Sequence, residues 1–382
     1  MNGRANTLEV KKINKNRIFR YMNEAEQCSM SEISAALSLS GPTVLTAVNE
    51  LKEAGLVREK GEFSSTGGRK AKAFETIKEA AFSIGVDITL HHIGIAYTDL
   101  SRRVLAYERI RKPFSNTEEY FEEAAAKVAE FVAKHQVDES KIVGMGMSIP
   151  GIVNQESQTI HRSHVLDVQR DPIEKWTCKF PYPCEILNDA NAAAIAECHD
   201  MDKSGGLIYL ALSNSVGGAI VFDTDKNQIV NEHIYVGDNW RSGEFGHIVI
   251  HPEGKKCYCG KTGCLDAYCS AYNLANLENG RLEDFFEKLE NGDLRHQKAW
   301  EEYLRNLAIA VDNLRMCFDC DIVLGGYVGG FMEPYLPQLK EMVSRIDIFE
   351  KDGKYVKAGR YKKEASALGA AIYQVDGYIA KI

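Results

Sequence analysis

The stretch from Ser242 to Tyr268 holds more chemistry than any other part of the chain. Cys257, Cys259 and Cys264 form a C-x-C-x4-C arrangement, with His247 ten residues before the first of them. Three thiolates and one imidazole suit tetrahedral Zn²⁺, and four protein ligands leave no open coordination position, which is the pattern of a structural metal. Gly260 and Gly263 let so short a loop turn back on an ion. Three unrelated core thiols and a surface histidine would rarely fall at these gaps, so the spacing predicts a structural zinc loop. Glu244 precedes the histidine by three residues and Asp266 follows the last cysteine by two. A metal clamp there holds two carboxylates near one another, which is a way to build a polar small-molecule site.

What must position these residues is a chain of 382 amino acids, long enough for more than one domain, with 45% apolar residues to fill its cores. No segment approaches the ~18 uninterrupted apolar residues of a membrane span. The first residues, MNGRANTLEVKKINKNR, lack the apolar run of a secretory signal. Ten cysteines without an extracellular context point to a reducing, cytoplasmic setting. The net charge of −8 is unevenly spread: residues 1–80 carry 13 Lys and Arg against 10 Asp and Glu, the remainder 33 against 44. A basic head on an acidic body suggests an anionic partner for the head.

The head reads as three helices and a hairpin. Residues 12–23 form a plausible helix, with Ile13, Ile18, Phe19 and Met22 apolar. Ser29-x-x-Glu32 is a capping box opening a helix through Leu37. Ser40 caps a further helix, with Gly41 and Pro42 in its first turn, Val44, Leu45, Val48 and Leu51 on one side, and Gly55 as its stop. Residues 56–59 and 73–76 look like strands flanking a polar, basic tip. This is the pattern of a winged helix-turn-helix. Thr43, Thr46 and Asn49 then sit near the exposed front of the second helix of the helix-turn-helix, the one opened by Ser40, facing a major groove. Arg69 and Lys70 lie on the wing, where an arginine can enter the narrow minor groove of A·T-rich DNA. A dimer reading an A·T-rich inverted repeat follows from that geometry.

From Ala80 the pattern becomes strands followed by helices, twice. Residues 82–88, 93–99 and 104–107 read as a meander, 117–134 as an amphipathic helix, 142–148 as a buried strand, and 189–197 as a helix opened by Asn188-Asp189. Residues 207–212 and 218–222 make a second hairpin, 322–326 a late strand ending in a glycine turn, and 300–316 and 365–379 helices. Two α/β lobes with a cleft between them are expected.

At this point the body resembles the ROK family (repressors, uncharacterised reading frames and sugar kinases) over nearly the whole chain. The resemblance rests on Gly144-x-Gly146-x3-Pro150-Gly151-x-Val153, Asn188-Asp189-Ala190-Asn191-Ala192-Ala193, Gly243-Glu244-Phe245-Gly246-His247 and Cys257-x-Cys259-Gly260-x2-Gly263-Cys264-Leu265. In the head, Leu39-Ser40-x-Pro42-Thr43-Val44 and Ser65-Thr66-Gly67-Gly68-Arg69 look like the recognition-helix start and wing of the repressor branch. The resemblance implies an actin-like, ribonuclease H-like duplication behind the DNA-binding head. The domains would then be residues 1–78, a first lobe at 79–196 completed by the helix at 365–382, and a second lobe at 197–364 with the zinc site and the expected oligomer interface.

The resemblance also implies roles. Asp189 matches the catalytic base of the kinases, and Asn188, Glu244 and His247 match sugar-contacting positions. Asp266 stands where the kinases usually have Glu. His164 lies in a segment replacing one that usually offers an Asn to the sugar. Kinase members carry a Gly-Gly-Thr turn after the first strand's Asp, whereas here Asp87 is followed by Ile88-Thr89-Leu90-His91-His92. Their second phosphate loop is Leu-Gly-Thr-Gly-x-Gly-Gly; here it is Leu212-Ser213-Asn214-Ser215-Val216-Gly217-Gly218. Phosphoryl transfer depends on cradling phosphates with backbone amides, so both departures point away from catalysis and leave Asp189 vestigial. The expectation is a homodimeric or homotetrameric regulator, most simply a repressor of carbohydrate-utilisation genes, answering to xylose, another sugar or a sugar phosphate. A sugar kinase with a DNA-binding appendage is the alternative, and a regulator answering to a protein partner is a third.

Overall fold

A computed structural model describes residues 7–63, 71–199, 205–222 and 233–382. Arg69 and Lys70 therefore lie outside the described residues.

The head begins with α1 (Thr7–Glu24), longer than the apolar pattern alone suggests, followed by α2 (Met30–Leu37) and α3 (Gly41–Glu53). The Ser29 hydroxyl accepts from the Glu32 amide while the Glu32 carboxylate accepts from the Ser29 amide at 2.7 Å, closing the capping box. Ser38 takes a left-handed conformation to end α2, and Ser40 caps α3. One face of α3 buries Val44, Ala47, Val48 and Leu51. Leu45 corrects the sequence reading: it is 48% exposed, because it lies about 100° round the helix from Val44 and shares the outer face with Thr46 and Asn49. Strands β1 (Val57–Glu62) and β2 (Lys72–Thr76) pair antiparallel with a bulge at Glu59–Gly61, and Cys28 bridges to Phe74.

The first lobe carries a five-stranded sheet in the order β10-β6-β3-β4-β5, built from β3 (Phe82–Ile88), β4 (His92–Asp99), β5 (Ala106–Arg111), β6 (Ile142–Ile149) and β10 (Cys184–Asn188). The third strand of the meander begins later than the sequence suggests. Arg102 makes the turn with a positive φ, Leu105 remains 44% exposed, and pairing starts at Tyr97–Ala106. Helix α4 (Glu118–Lys134) buries its apolar face in this lobe's core. A small sheet of β7 (Ile152–Asn154), β8 (Thr159–Ser163) and β9 (Val168–Pro172) follows β6, with the short α5 (Ile173–Thr177) after it. It places His161 and Arg162 on a strand rather than in a loop.

Helix α6 (Asp189–His199) then leads into the second lobe. There β11 (Leu207–Leu212), β12 (Val216–Val221), β13 (Asp321–Gly325) and β14 (Val356–Ala358) form a sheet in the order β12-β11-β13-β14. Each lobe thus repeats one theme, an antiparallel hairpin extended by parallel strands. The second lobe also holds α7 (Asp266–Cys269), α8 (Tyr272–Ala275), α9 (Leu282–Glu290), α10 (Leu294–Phe318), α11 (Gly326–Gly329) and α12 (Leu336–Ile346).

The last helix, α13 (Ala365–Lys381), returns to the first lobe and lies with α6 between the two sheets. A Cβ at Gly369 would stand 1.6 Å from the Ala192 carbonyl oxygen, so only glycine permits this approach of α13 to α6. Among the described residues no helix is long and apolar enough to cross a membrane.

Candidate functional site

Four donors converge on the loop after β12. The ligating atoms of His247, Cys257, Cys259 and Cys264 all lie within 4.8 Å of one another. Two edges of this set, Cys259 Sγ to Cys264 Sγ and Cys257 Sγ to His247 Nδ1, are each 3.8 Å. Those are close to the edges of a tetrahedron whose bonds are about 2.3 Å, the zinc–thiolate length. The loop is shaped by isolated bridges, Val249 with Cys264 and Lys256 with Thr262. Gly263 takes φ +77°, and a Cβ there would stand 1.7 Å from the His251 carbonyl oxygen. Burial, aided by Lys261 and His164, lowers the His247 pKa and favours the neutral imidazole, the form that ligates metals. The donor set can therefore hold a metal through Nδ1 of His247. Its Nε2 faces the Tyr258 hydroxyl at 3.4 Å.

Beside this cluster a cleft of ≈ 360 Å³ opens between the lobes. Asn188, Asp189, Glu244, His247 and His164 all line it. The first lobe supplies Asn188 and Asp189 at the junction of β10 and α6, and His164 in the turn between β8 and β9. The Asn188 side chain is itself held, accepting from the Asn191 amide at 3.0 Å and donating to the Gly151 carbonyl at 3.1 Å. Asp266 does not line this cleft. It is buried behind it, and its Oδ2 accepts the Val216 amide at 2.7 Å.

The carboxylates are electrostatically strained. Asp189 keeps part of its surface toward the cleft, but protein walls it on the other sides. Burial is the main cause lifting its pKa to about 7, with Asp87 and Glu244 adding repulsion. Asp87, which accepts from the Ser148 hydroxyl at 2.7 Å, is raised to about 6, again chiefly by burial. Glu244 is raised by desolvation and partly relieved by Arg241. Such a set accepts hydrogen bonds from neutral polyols well, because each bond replaces lost hydration.

Sequence reasoning missed three walls of the cleft. Tyr258 lies between two cysteines of the loop, and its ring stands 5.3 Å from that of His247 and 5.8 Å from that of His164. Its position was readable, since a residue between two ligands of a tight loop is turned away from the metal. Arg162 and Arg241 also line the cleft, from opposite lobes, and carry no such local signal. A further cavity of ≈ 560 Å³ is lined by His91, His92, Arg109, Tyr272, Tyr327 and Lys363. Arg109 spans the lobes there, donating to the Tyr327 hydroxyl at 3.0 Å.

In the head, Thr46 and Asn49 are exposed on α3, and Thr43 is half-buried. The Thr46 hydroxyl donates to the Pro42 carbonyl at 2.9 Å, so its methyl group dominates what it offers outward.

A winged helix-turn-helix fused to a two-lobed, duplicated α/β body with a polar interlobe cleft defines a class of ligand-responsive DNA-binding protein. The model of the ROK family matches residues 83–376, that of a winged helix-turn-helix DNA-binding domain residues 12–58, and the chain belongs to the ROK family. It is 27% identical to the xylose repressor of Caldicellulosiruptor bescii, covering 88% of each chain. Its fold is similar to that of a ROK family transcriptional regulator, a homologue of the Escherichia coli MLC protein, with TM-score 0.75, 21% identity and 97% of each chain covered. The body's fold is also similar to that of a ROK glucokinase from Streptomyces griseus, solved with glucose and AMPPNP. There the TM-score is 0.64 at 24% identity, covering 76% of this chain and 98% of the kinase.

Proposed function

We propose that this protein is a sugar-responsive transcriptional regulator, a cytoplasmic repressor of carbohydrate-utilisation genes that binds DNA through its head and a sugar through the interlobe cleft. The observation that carries this is continuity: the helix bearing Asp189 at the cleft packs on α13, and α13 is joined to α1 of the head by buried polar contacts. The effector lies against Asn188, Asp189 and Glu244, with His247 and His164 at its edge, while Asp266 supports the Val216 loop from behind. Zn²⁺ held by His247, Cys257, Cys259 and Cys264 fixes that wall and supplies no chemistry to a reaction. Thr43, Thr46 and Asn49, with Arg69 and Lys70 on the wing, contact an A·T-rich inverted repeat as a homodimer or within a homotetramer. The working units are residues 1–78, residues 79–196 with 365–382, and residues 197–364.

The amides flanking the cleft support a regulator over a kinase. In the Thr89–His92 turn, the Thr89 amide donates to the His92 carbonyl and the His92 amide to the Thr89 hydroxyl. The Val216 amide is taken by Asp266. Amides engaged in this way are not free to cradle phosphates. The xylose repressor from Caldicellulosiruptor bescii favours the same reading.

The test is DNA release. Purified protein bound to its own promoter fragment is titrated with a panel of sugars while melting temperature and DNA retention are followed. One sugar that raises the melting temperature and changes DNA affinity is expected. Sugar-dependent ATP turnover near the ~1 s⁻¹ floor typical of enzymes would establish the kinase instead.

A further inference from the structure

The sugar cleft adjoins a second cavity of ≈ 260 Å³. Gly151, Ile152, Asn188, Gly217 and Glu244 line both, so the two spaces meet across the Asn188–Glu244 wall. Their linings differ in kind. The first has charged groups from both lobes, including Asp189, Arg162 and Arg241. In the second the shared Glu244 is the one charged side chain among the described lining residues.

What faces the second cavity is the chemistry that recognises a neutral ring of hydroxyls. Trp240 and Tyr373 bring aromatic surface from the second lobe and from α13, and Ile234 and Val236 add apolar wall. Aromatic faces of this kind pack against the apolar faces of sugar rings while leaving their hydroxyls free. Trp240 takes a left-handed backbone conformation, φ +60°, uncommon for a bulky residue and worth its cost where a side chain must be placed. Polar partners stand beside it. The Ser242 hydroxyl is buried without a hydrogen-bond partner. Gln155, which donates to the Ile186 carbonyl at 2.6 Å and accepts from the Gln158 amide group at 3.4 Å, keeps a second lone pair on its carbonyl oxygen for a further donor. Asn191 lies one helical turn from Asn188 on α6 and lines this cavity alone of the two.

We infer that this cavity is a second sugar subsite and that the effector is a neutral disaccharide, one ring on the Asp189 carboxylate and the next against Trp240. The inference rests on the sugar-effector reading above and deepens it. Among the described lining residues a phosphate would meet Glu244 and no cation, and be repelled. A lone monosaccharide in the cleft leaves the orphaned Ser242 hydroxyl and the Trp240 face without partners.

The chain carries its own reporter. Of its three tryptophans, Trp176 and Trp300 are 0% and 2% exposed in separate cores, so a sugar-induced change in indole emission originates at Trp240. Matched pairs are titrated into the full-length protein: xylose and xylobiose, glucose and cellobiose, galactose and lactose, N-acetylglucosamine and chitobiose. One disaccharide is expected to bind at least about tenfold tighter than its monosaccharide and to shift the emission, while the monosaccharide does not. Trp240→Leu should bring that disaccharide down to the affinity of the monosaccharide and leave the monosaccharide unchanged. Equal affinity within every pair that binds, or equal loss for both members in Trp240→Leu, overturns the subsite and leaves the sugar reading standing. Binding of no sugar at all, with DNA binding intact, overturns both. The wild-type comparison needs no variant, so a misfolded Trp240→Leu does not block the test.

Discussion

Asp376 on α13 accepts a guanidinium hydrogen bond from Arg20 of the DNA-binding head at 3.2 Å, and the two side chains are 0% and 2% exposed. The same carboxylate oxygen accepts from Arg102, in the turn after β4, at 3.3 Å, and Arg102 donates onward to Glu24 at the end of α1. Asn16 donates to the Ile379 carbonyl, and Asn23 donates to the Leu100 carbonyl at 2.5 Å. The head is thus joined to the helix that packs beside Asp189, whose backbone carbonyl accepts from Ser366. A sugar changes DNA affinity only through its differential binding to two arrangements of this assembly.

Asp376→Ala should therefore do more than lower stability. It leaves two buried guanidiniums facing one another without their shared counter-charge, a loss on the order of 3–5 kcal/mol. Denaturant unfolding measures that loss, and DNA titration with and without sugar measures the coupling. The expected outcome is a protein that still binds sugar but whose DNA affinity no longer follows it. A variant that keeps the full sugar response would remove α13 from the path.

Asp189 gives a pH prediction with a defined sign. Its folded pKa of about 7 lies above the ordinary carboxylate value of 3.8, so the folded state binds the extra proton. Its contribution to stability is complete below about pH 4 and is lost as pH rises through 7. Asp189→Asn cannot ionise and keeps the acceptor for the Ala190 amide, bonded at 2.9 Å in the native protein. Its stability relative to wild type should rise by on the order of 2 kcal/mol from about pH 5 to about pH 7.5, water in the cleft screening the remainder. Parallel melting curves across that range decide it, and a constant difference would place Asp189 in a solvated environment. The same variant should lose the sugar response while retaining DNA binding.

How far the sequence carried this reading depended on whether a signal was local. The capping box at Ser29 and Glu32 and the 3.6-residue period of α3 are local, and they locate the helix-turn-helix. Leu45 shows the limit, since an apolar residue on a half-exposed helix need not point inward. The zinc-type spacing and the Asn188-Asp189 and Glu244 motifs were equally legible. The small sheet was not, because Thr159–Ser163 and Val168–Pro172 are short and polar, and only pairing makes them strands. Asp376 gave no sign of its role: its partners lie 274 and 356 residues away. The second cavity likewise exists only once Trp240, Tyr373 and Asn191 are brought together.

The metal should be part of the fold. Cys264 is fully buried, and its Sγ lies 3.8 Å from that of Cys259, the separation two thiolates take on one tetrahedral ion. Freshly purified protein is expected to carry close to one zinc per chain by elemental analysis. Cys264→Ser should reduce that content and cost several kcal/mol, since binding energy at a structural site is folding energy. Because His247 and Tyr258 form a wall of the cleft, chelation should weaken sugar binding before it affects DNA binding. Wild-type protein that is metal-free and equally stable would refute the assignment.

The head's contacts are separable by salt. Asn49 is exposed on the outer face of α3 with Thr46 and Leu45, the face proposed above to read base edges in a major groove. Asn49→Ala should cost about 1–3 kcal/mol on the operator and little on random duplex, leaving the salt slope unchanged. Arg69→Ala should instead weaken binding to both and lower the slope of log affinity against log salt by about one. Leu45 faces outward without a polar group, so Leu45→Ala should act, if it touches a thymine methyl, on specificity alone. Fluorescence anisotropy over a salt series with operator and scrambled fragments reads all three. A uniform effect of Asn49→Ala on both DNAs would move the base-reading face away from α3.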